Sequence, residues 1–311
     1  MKNVLEVKNI TKAYDNESPA VKDVSFSIAH GEVVAIFGES GCGKSSLLQM
    51  ISGYLEPDAG RIFINGNKLP YPSEILIPGD PDIEIVRQDY DLFPNHKVEE
   101  VLDYKLRKYP DDFIKQRTDE LLKLCGLEDY RKRIIKKLSG GQQQRVAIAQ
   151  ALANEPDVLL MDEPFNSLDG NRKRKLRKLI RSIVDTYEVS VVLVTHDTED
   201  VFQLADQLIV MNEGRFIQKG QPMDIYHNPQ NRYVAELLGE LNYFNDKTGV
   251  RPEDIFLSPG EEEGTILETS EFIGGYYRYE IIKDEKNWIV YDTKNWEGLL
   301  PIKITFDKRI Y

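Results

Sequence analysis

The stretch GESGCGKSSL, residues 38–47, follows the apolar run VVAIF and leads into SLLQMI. Gly38, Gly43, Lys44 and Ser45 stand at the fixed positions of G-x-x-x-x-G-K-[ST], whose backbone N–H groups cradle phosphates. In that pattern Lys44 reaches the terminal phosphates and Ser45 can ligate magnesium. A helix opening near Gly43 aims its positive N-terminus at the same place. An ordinary glycine-rich turn is the bland alternative. A buried strand before the loop and a helix after it are the context that a phosphate site requires.

The chain of 311 residues suggests two domains. At 41% hydrophobic and 30% charged residues it has an ordinary globular composition. A net charge of −12 and a pI near 5.0 argue against wrapping a polyanion, so nucleic acid is not expected as a partner. Cys42, inside the phosphate loop, and Cys125, in an apolar helix, read as reduced thiols of a cytosolic protein. The opening MKNVLEVKNI has no secretory core, and no stretch approaches the ~20 apolar residues of a membrane span. A membrane role would therefore come through partner chains.

Along the chain, VLEVKNI alternates like a strand, and VSFSIAHGEVVAIF reads as two strands around a turn at Gly31. GRIFINGNKL is a strand followed by an Asn65-Gly66 turn. Residues 97–137 are charged and helical in period, and a helix over 141–153 follows. Next come the strand VLLM, a basic helix near 171–186, the strand VSVVLVT, a helix over 198–205 and the strand QLIVMNEG. Alternating strands and helices predict an α/β domain around a largely parallel sheet. From about residue 242 short strands dominate: GTILETSEFI, YYRYEIIK, NWIVYDT and PIKITF. They predict a small, barrel-like all-β domain, in which Glu261-Glu262-Glu263 is a solvated loop.

VLLMDEP, residues 158–164, ends an apolar strand with two carboxylates. Asp162 lies where ligands collect in open α/β sheets and suits magnesium; Glu163 suits an attacking water. Helix capping before Pro164 is the alternative for such a pair. In LSGGQQQR, residues 138–145, Ser139 is a good N-cap and Gly140 and Gly141 allow close backbone approach. That makes a second helix terminus suited to an anion.

The last stretch closely resembles the signature of ATP-binding cassette (ABC) ATPases, and the other motifs fall in that family's order over residues 1–240. The resemblance implies a P-loop NTPase fold with a helical subdomain over about 88–155, followed by an OB- or TOBE-like β domain over 241–311. It implies ATP and Mg²⁺ as ligands. The phosphate loop would contribute Gly38, Glu39, Ser40, Gly41, Cys42, Gly43, Lys44, Ser45 and Ser46. Tyr14 resembles the aromatic that stacks on adenine. Gln88 resembles the glutamine that senses magnesium and the γ-phosphate, although Arg87 stands where importers usually carry an aromatic residue. Asp169, in NSLD, resembles the subunit-contact aspartate, and His196 the switch histidine at the γ-phosphate. Metal ligation would fall to Ser45, Gln88 and Asp162, and catalysis to Glu163, His196, Lys44 and Gln88. Ser139, Gly140, Gly141 and Gln142 would close over the nucleotide of a partner, which makes an ATP-dependent homodimer.

Three C-terminal stretches resemble the accessory region of maltose-, polyamine-, iron- and sulfate-type importers: GQPMDIYHNPQNRYVAELLGELNYF, VRPEDIFL and EFIGGYYRYEI. The resemblance implies an importer subunit bound through a permease to the inner membrane face, with an external solute-binding protein as an indirect partner. A permease helix would dock around residues 88–130, where Tyr90, Leu92 and Phe93 are apolar. Cargo stays open among polyamine, iron(III) and other ions. A soluble cassette ATPase of DNA repair or translation is the alternative, with NRKRKLRKLIR as its only basic patch, which helical spacing makes mostly a solvated face.

Overall fold

A computed structural model describes residues 3–14, 19–166, 168–245, 248–260, 266–283, 286–296 and 302–306. Ser167 of NSLD and the acidic run 261–263 lie outside the described residues. The chain divides by compactness into Met1–Pro222 and Met223–Tyr311.

In the first unit, alternating burial builds an antiparallel sheet from β1 (Asn3–Lys12), β2 (Val21–Ala29), β4 (Ala59–Ile64) and β5 (Asn67–Lys68), in the order β2-β1-β4-β5. Asn65 (φ 52°) and Gly66 (φ 81°) form the tight turn between β4 and β5, both in the left-handed region such two-residue loops need. A second sheet runs β10-β9-β3-β8-β7-β6, from β3 (Val33–Phe37), β6 (Ile83–Val86), β7 (Val158–Asp162), β8 (Ser190–Thr195), β9 (Gln207–Asn212) and β10 (Arg215–Gly220). It is parallel except where β10 turns back on β9. Every residue of β3 and β8 is buried, as both-face coverage of a parallel sheet demands.

The expected largely parallel sheet is thus one of two. β2 and β3, neighbours around Gly31, join different sheets because β2 alternates in burial while β3 is apolar throughout. β6 went unread, since IEIV is short and half-buried on one edge.

Helices α1 (Lys44–Ile51), α2 (Val98–Leu106), α3 (Asp111–Cys125), α4 (Gly140–Ala151), α5 (Gly170–Tyr187) and α6 (Thr198–Leu204) complete the unit. Leu102, Leu122 and Ile148 join α2, α3 and α4 in one core with the inner face of the second sheet. α5 buries Leu176, Ile180, Ile183 and Val184, one helical stripe. Its basic residues turn to acids at or near α6: Lys173 to Asp197, Arg177 to Asp200 (2.6 Å) and Arg181 to Asp206 (2.9 Å). Asp200 is fully buried, so Arg177 is there to compensate its charge.

The second unit holds α7 (Pro222–His227), which begins at the division, and α8 (Arg232–Leu237). Its strands are β11 (Asn242–Asn245), β12 (Thr248–Val250), β13 (Ile255–Pro259), β14 (Ile266–Phe272), β15 (Tyr277–Lys283), β16 (Lys286–Asp292) and β17 (Ile302–Phe306). Among the described residues they form three antiparallel sheets, β11-β12, β13-β17 and β14-β15-β16. Val250, Ile255, Tyr279, Ile281, Trp288 and Val290 make their core.

Candidate functional site

The phosphate loop begins as β3 leaves its fully buried course. Lys44, 5% exposed, donates from Nζ to the carbonyls of Gly38 (2.8 Å) and Glu39 (2.7 Å), with Cys42 Sγ at 3.7 Å. Glu39, Ser40 and Gly41 are exposed around this buried ammonium. A Cβ on Gly38 would lie 2.2 Å from the Met211 carbonyl oxygen, and one on Gly43 (φ 107°) 2.0 Å from that of Ala20. Both glycines are therefore demanded by the chain's own backbone before any ligand is considered. Tyr14 Oη and Ser46 Oγ are hydrogen-bonded at 3.1 Å, which sets that ring beside α1.

Ser45, Gln49, Arg87, Gln88 and Asp162 line an open cleft of about 490 Å³ beside the loop. Burial raises the Asp162 carboxyl above its ordinary range and Glu163 adds to this, while the Ser45 hydroxyl, Lys44 and Arg87 pull the other way. The Ser45 hydroxyl, the Asp162 carboxylate and the Gln88 amide are hard oxygen donors around one cleft. They fit magnesium, which takes few protein oxygens and leaves the rest of its shell to phosphate and water.

Glu163 follows β7 in the left-handed region (φ 48°), and its N–H donates to Val194 O (3.0 Å). That conformation is rare for a residue with a side chain and marks sites where geometry is imposed. The parallel register pairs Asp162 with Val194, which brings Glu163 to His196 beyond the end of β8. Glu163 Oε1 lies 3.3 Å from His196 Nδ1, and Oε2 accepts from Asn166 Nδ2 (3.0 Å). A carboxylate gripped from two sides can orient a water, so the helix-capping alternative for Asp162-Glu163 is not what forms.

A second cleft, about 400 Å³, is lined among others by Ser139, Gly141, Gln142, Arg145, Arg172 and Lys175. Ser139 starts α4, and its N–H donates to Gln142 Oε1 (2.9 Å). Among the described residues nothing comes within 4 Å of a Cβ on Gly140, and only Arg172 Cδ, at 4.0 Å, approaches one on Gly141. Asp169 caps α5 by accepting from the Arg172 N–H (2.9 Å). Sequence reasoning missed Arg145, Arg172 and Lys175, which gather from two helices around the signature. Of the phosphate loop, Ser45 thus shares one cleft with Gln88 and Asp162, Glu163 and His196 form a pair, and Ser139, Gly141 and Gln142 of the signature line a cleft of their own.

Comparison with known proteins bears on this geometry. A family model described as ABC transporter matches residues 21–166. The spermidine/putrescine import ATP-binding protein PotA of Legionella pneumophila (strain Lens) is 37% identical over 309 residues, 97% of this chain and 83% of that protein. The putrescine transport ATP-binding protein PotG of Escherichia coli (strain K12) is 40% identical over 261 residues, 83% of this chain and 68% of that protein. Among solved structures, cbiO1 from Clostridium perfringens, part of the ABC transporter complex cbiONQ, is similar with a TM-score of 0.68 at 34% identity. That match covers 73% of this chain and 91% of cbiO1.

Proposed function

Because the chain belongs to the ABC transporter family, as an ATP-binding subunit that hydrolyses ATP, we propose that it powers import of a polyamine through a separate membrane permease. The observation that carries the ATPase reading is the meeting of Ser45, Gln88 and Asp162 at one cleft, with Lys44 near enough to act on the Asp162 charge and the Glu163–His196 pair at the ends of the adjacent strands β7 and β8. In this reading Lys44 exchanges the carbonyls of Gly38 and Glu39 for the β- and γ-phosphates. Tyr14 stacks on adenine. Glu163 orients the attacking water while Asn166 and His196 hold its carboxylate, and His196 reaches the γ-phosphate. Ser45, Asp162 and Gln88 would hold magnesium, which would supply charge neutralisation at the phosphates.

The open faces of Gly140 and Gly141 support an ATP-dependent homodimer, in which Ser139 to Gln142 and Asp169 meet the partner's nucleotide. The test is Glu163→Gln on a sizing column. A dimer with Mg-ATP and a monomer without it is expected, with turnover reduced by about 10²–10⁴-fold. Parental turnover would remove Glu163 from its role.

In this reading the permease is a separate chain that holds this one at the cytoplasmic face; among the described residues no helix is long and apolar enough to cross a membrane. The permease's docking groove is the cleft of about 270 Å³ lined by Phe93, His96, Glu100, Val101 and Tyr104. Phe93 and Tyr104 are 48% and 56% exposed, whereas Tyr90 and Leu92 pack on the core. In this division of labour residues 1–240 bind ATP, 241–311 form the accessory β domain, and an external binding protein delivers cargo.

Polyamine is favoured over iron(III) and other ions because PotA and PotG are named for spermidine and putrescine. Uptake of labelled putrescine and spermidine by cells carrying this chain with its permease tests the cargo; uptake of iron(III) instead would replace it. The relatives give the nucleic-acid alternative no support, and three cations of its basic patch, Lys173, Arg177 and Arg181, are paired with acids.

A further inference from the structure

Arg87 follows the strand β6 and immediately precedes Gln88, at a position where importers of this kind usually carry an aromatic residue. Its guanidinium carbon lies 5.2 Å from the centre of the Tyr54 ring. Tyr54 follows the C-terminal end of α1 after Gly53 (φ 73°), and Gly79 packs close to its hydroxyl. Arg87 O accepts the Tyr90 N–H (3.1 Å), and Tyr90 and Asp91 both take left-handed backbone (φ 63° and 42°), which makes a tight loop around Gln88. The guanidinium is thus seated between the end of the phosphate-loop helix and the loop that carries Gln88. It also lines the cleft shared by Ser45, Gln88 and Asp162, close enough to act on the Asp162 charge.

We propose that Arg87 is a positioning residue which, seated on Tyr54, fixes a positive charge beside the terminal phosphate of ATP and lessens the cleft's reliance on a divalent cation. The inference rests on the reading of this cleft as the ATP site. A planar guanidinium stacks on an aromatic face, so Tyr54 holds it without a direct ion pair among the described residues, while the Asp162 carboxylate lies near enough to feel its charge. A charge fixed in advance attracts an anion with no reorganisation when the ligand arrives. An aromatic residue at this position could pack but would carry no charge. The effect should fall on ATP rather than ADP, because Gln88, the neighbour of Arg87, is the residue assigned to the γ-phosphate.

The test is equilibrium titration of the full chain with N-methylanthraniloyl-ATP and N-methylanthraniloyl-ADP, in EDTA and in excess Mg²⁺. In EDTA, Arg87→Gln should weaken ATP binding about five- to tenfold and leave ADP binding within about twofold, the size expected of one partly exposed charge. In Mg²⁺ the ATP loss should shrink to about twofold, because the metal then neutralises the same phosphates. Tyr54→Leu should show the same pattern more weakly, and Arg87→Lys should restore part of the ATP affinity in EDTA. Equal losses for ATP and ADP in both buffers would mean that Arg87 only holds the loop, and would overturn the proposal. So would unchanged ATP binding in Arg87→Gln when the parent binds. A parent that binds neither nucleotide would overturn the ATP reading of the cleft itself.

Discussion

Two helix N-termini in this chain are written in similar letters, GCGKS before α1 and SGGQ at the start of α4, yet their glycines answer different demands. Side chains on Gly38 and Gly43 would strike backbone oxygens at 2.2 and 2.0 Å, so the fold itself requires both. Around Gly140 and Gly141 a Cβ would meet open space or a flexible arginine stem. The first terminus is a closed interior fixed by the chain's own backbone, and the second is an open surface, the one proposed to meet a partner's nucleotide.

The comparison breaks most easily at Gly43. Gly43→Ala combines a backbone collision with a positive φ, and should cost about 3–5 kcal/mol, a fall of roughly 10 °C in Tm by thermal unfolding. An unchanged Tm would show that the loop is as open as the signature. Gly140→Ala is the counterpart. Stability should stay within about 1 kcal/mol, since alanine is the better helix former, while ATP-driven dimerisation of the Glu163→Gln background is lost. Loss of stability with dimerisation intact would reverse the assignment.

The smallest effect concerns the core beneath the second terminus. Burial pushes the Cys125 thiol, in the core beneath α4, up to about 12, against a weaker pull from Arg145. A thiol so raised is about one part in ten thousand thiolate at pH 8. Cys125 should therefore resist iodoacetamide in the folded chain and react only as the pH climbs toward 12 or the protein unfolds. Prompt labelling at pH 8, read by peptide mass, would mean that the core under the signature helix opens as readily as its face.

Much of this site is legible because phosphate chemistry is written locally. The loop from Gly38 to Ser45, the carboxylates that end β7 and the signature at α4 each announce themselves within a few residues of strand or helix pattern. Other features were out of reach for equally physical reasons. The basic run in α5 reads as a mostly solvated face, yet Lys173, Arg177 and Arg181 face Asp197, Asp200 and Asp206 across a helix packing that no periodicity reveals. Arg87 reads as a departure from a pattern; its seat on Tyr54 depends on how β6 meets the end of α1. Arg145, Arg172 and Lys175 share a cleft only because α4 and α5 converge.

By itself the sequence determined which groups are present and which strands and helices carry them, since apolar periodicity, turn chemistry and phosphate-loop spacing act over one or two turns of chain. The tertiary structure alone decided that the first unit holds two sheets of opposite character. It also set Glu163 against His196 and made Gly38 and Gly43 obligatory through Met211 and Ala20. Those outcomes depend on strand register and side-chain volume between segments far apart in the chain, and such contacts exist only once the core has closed.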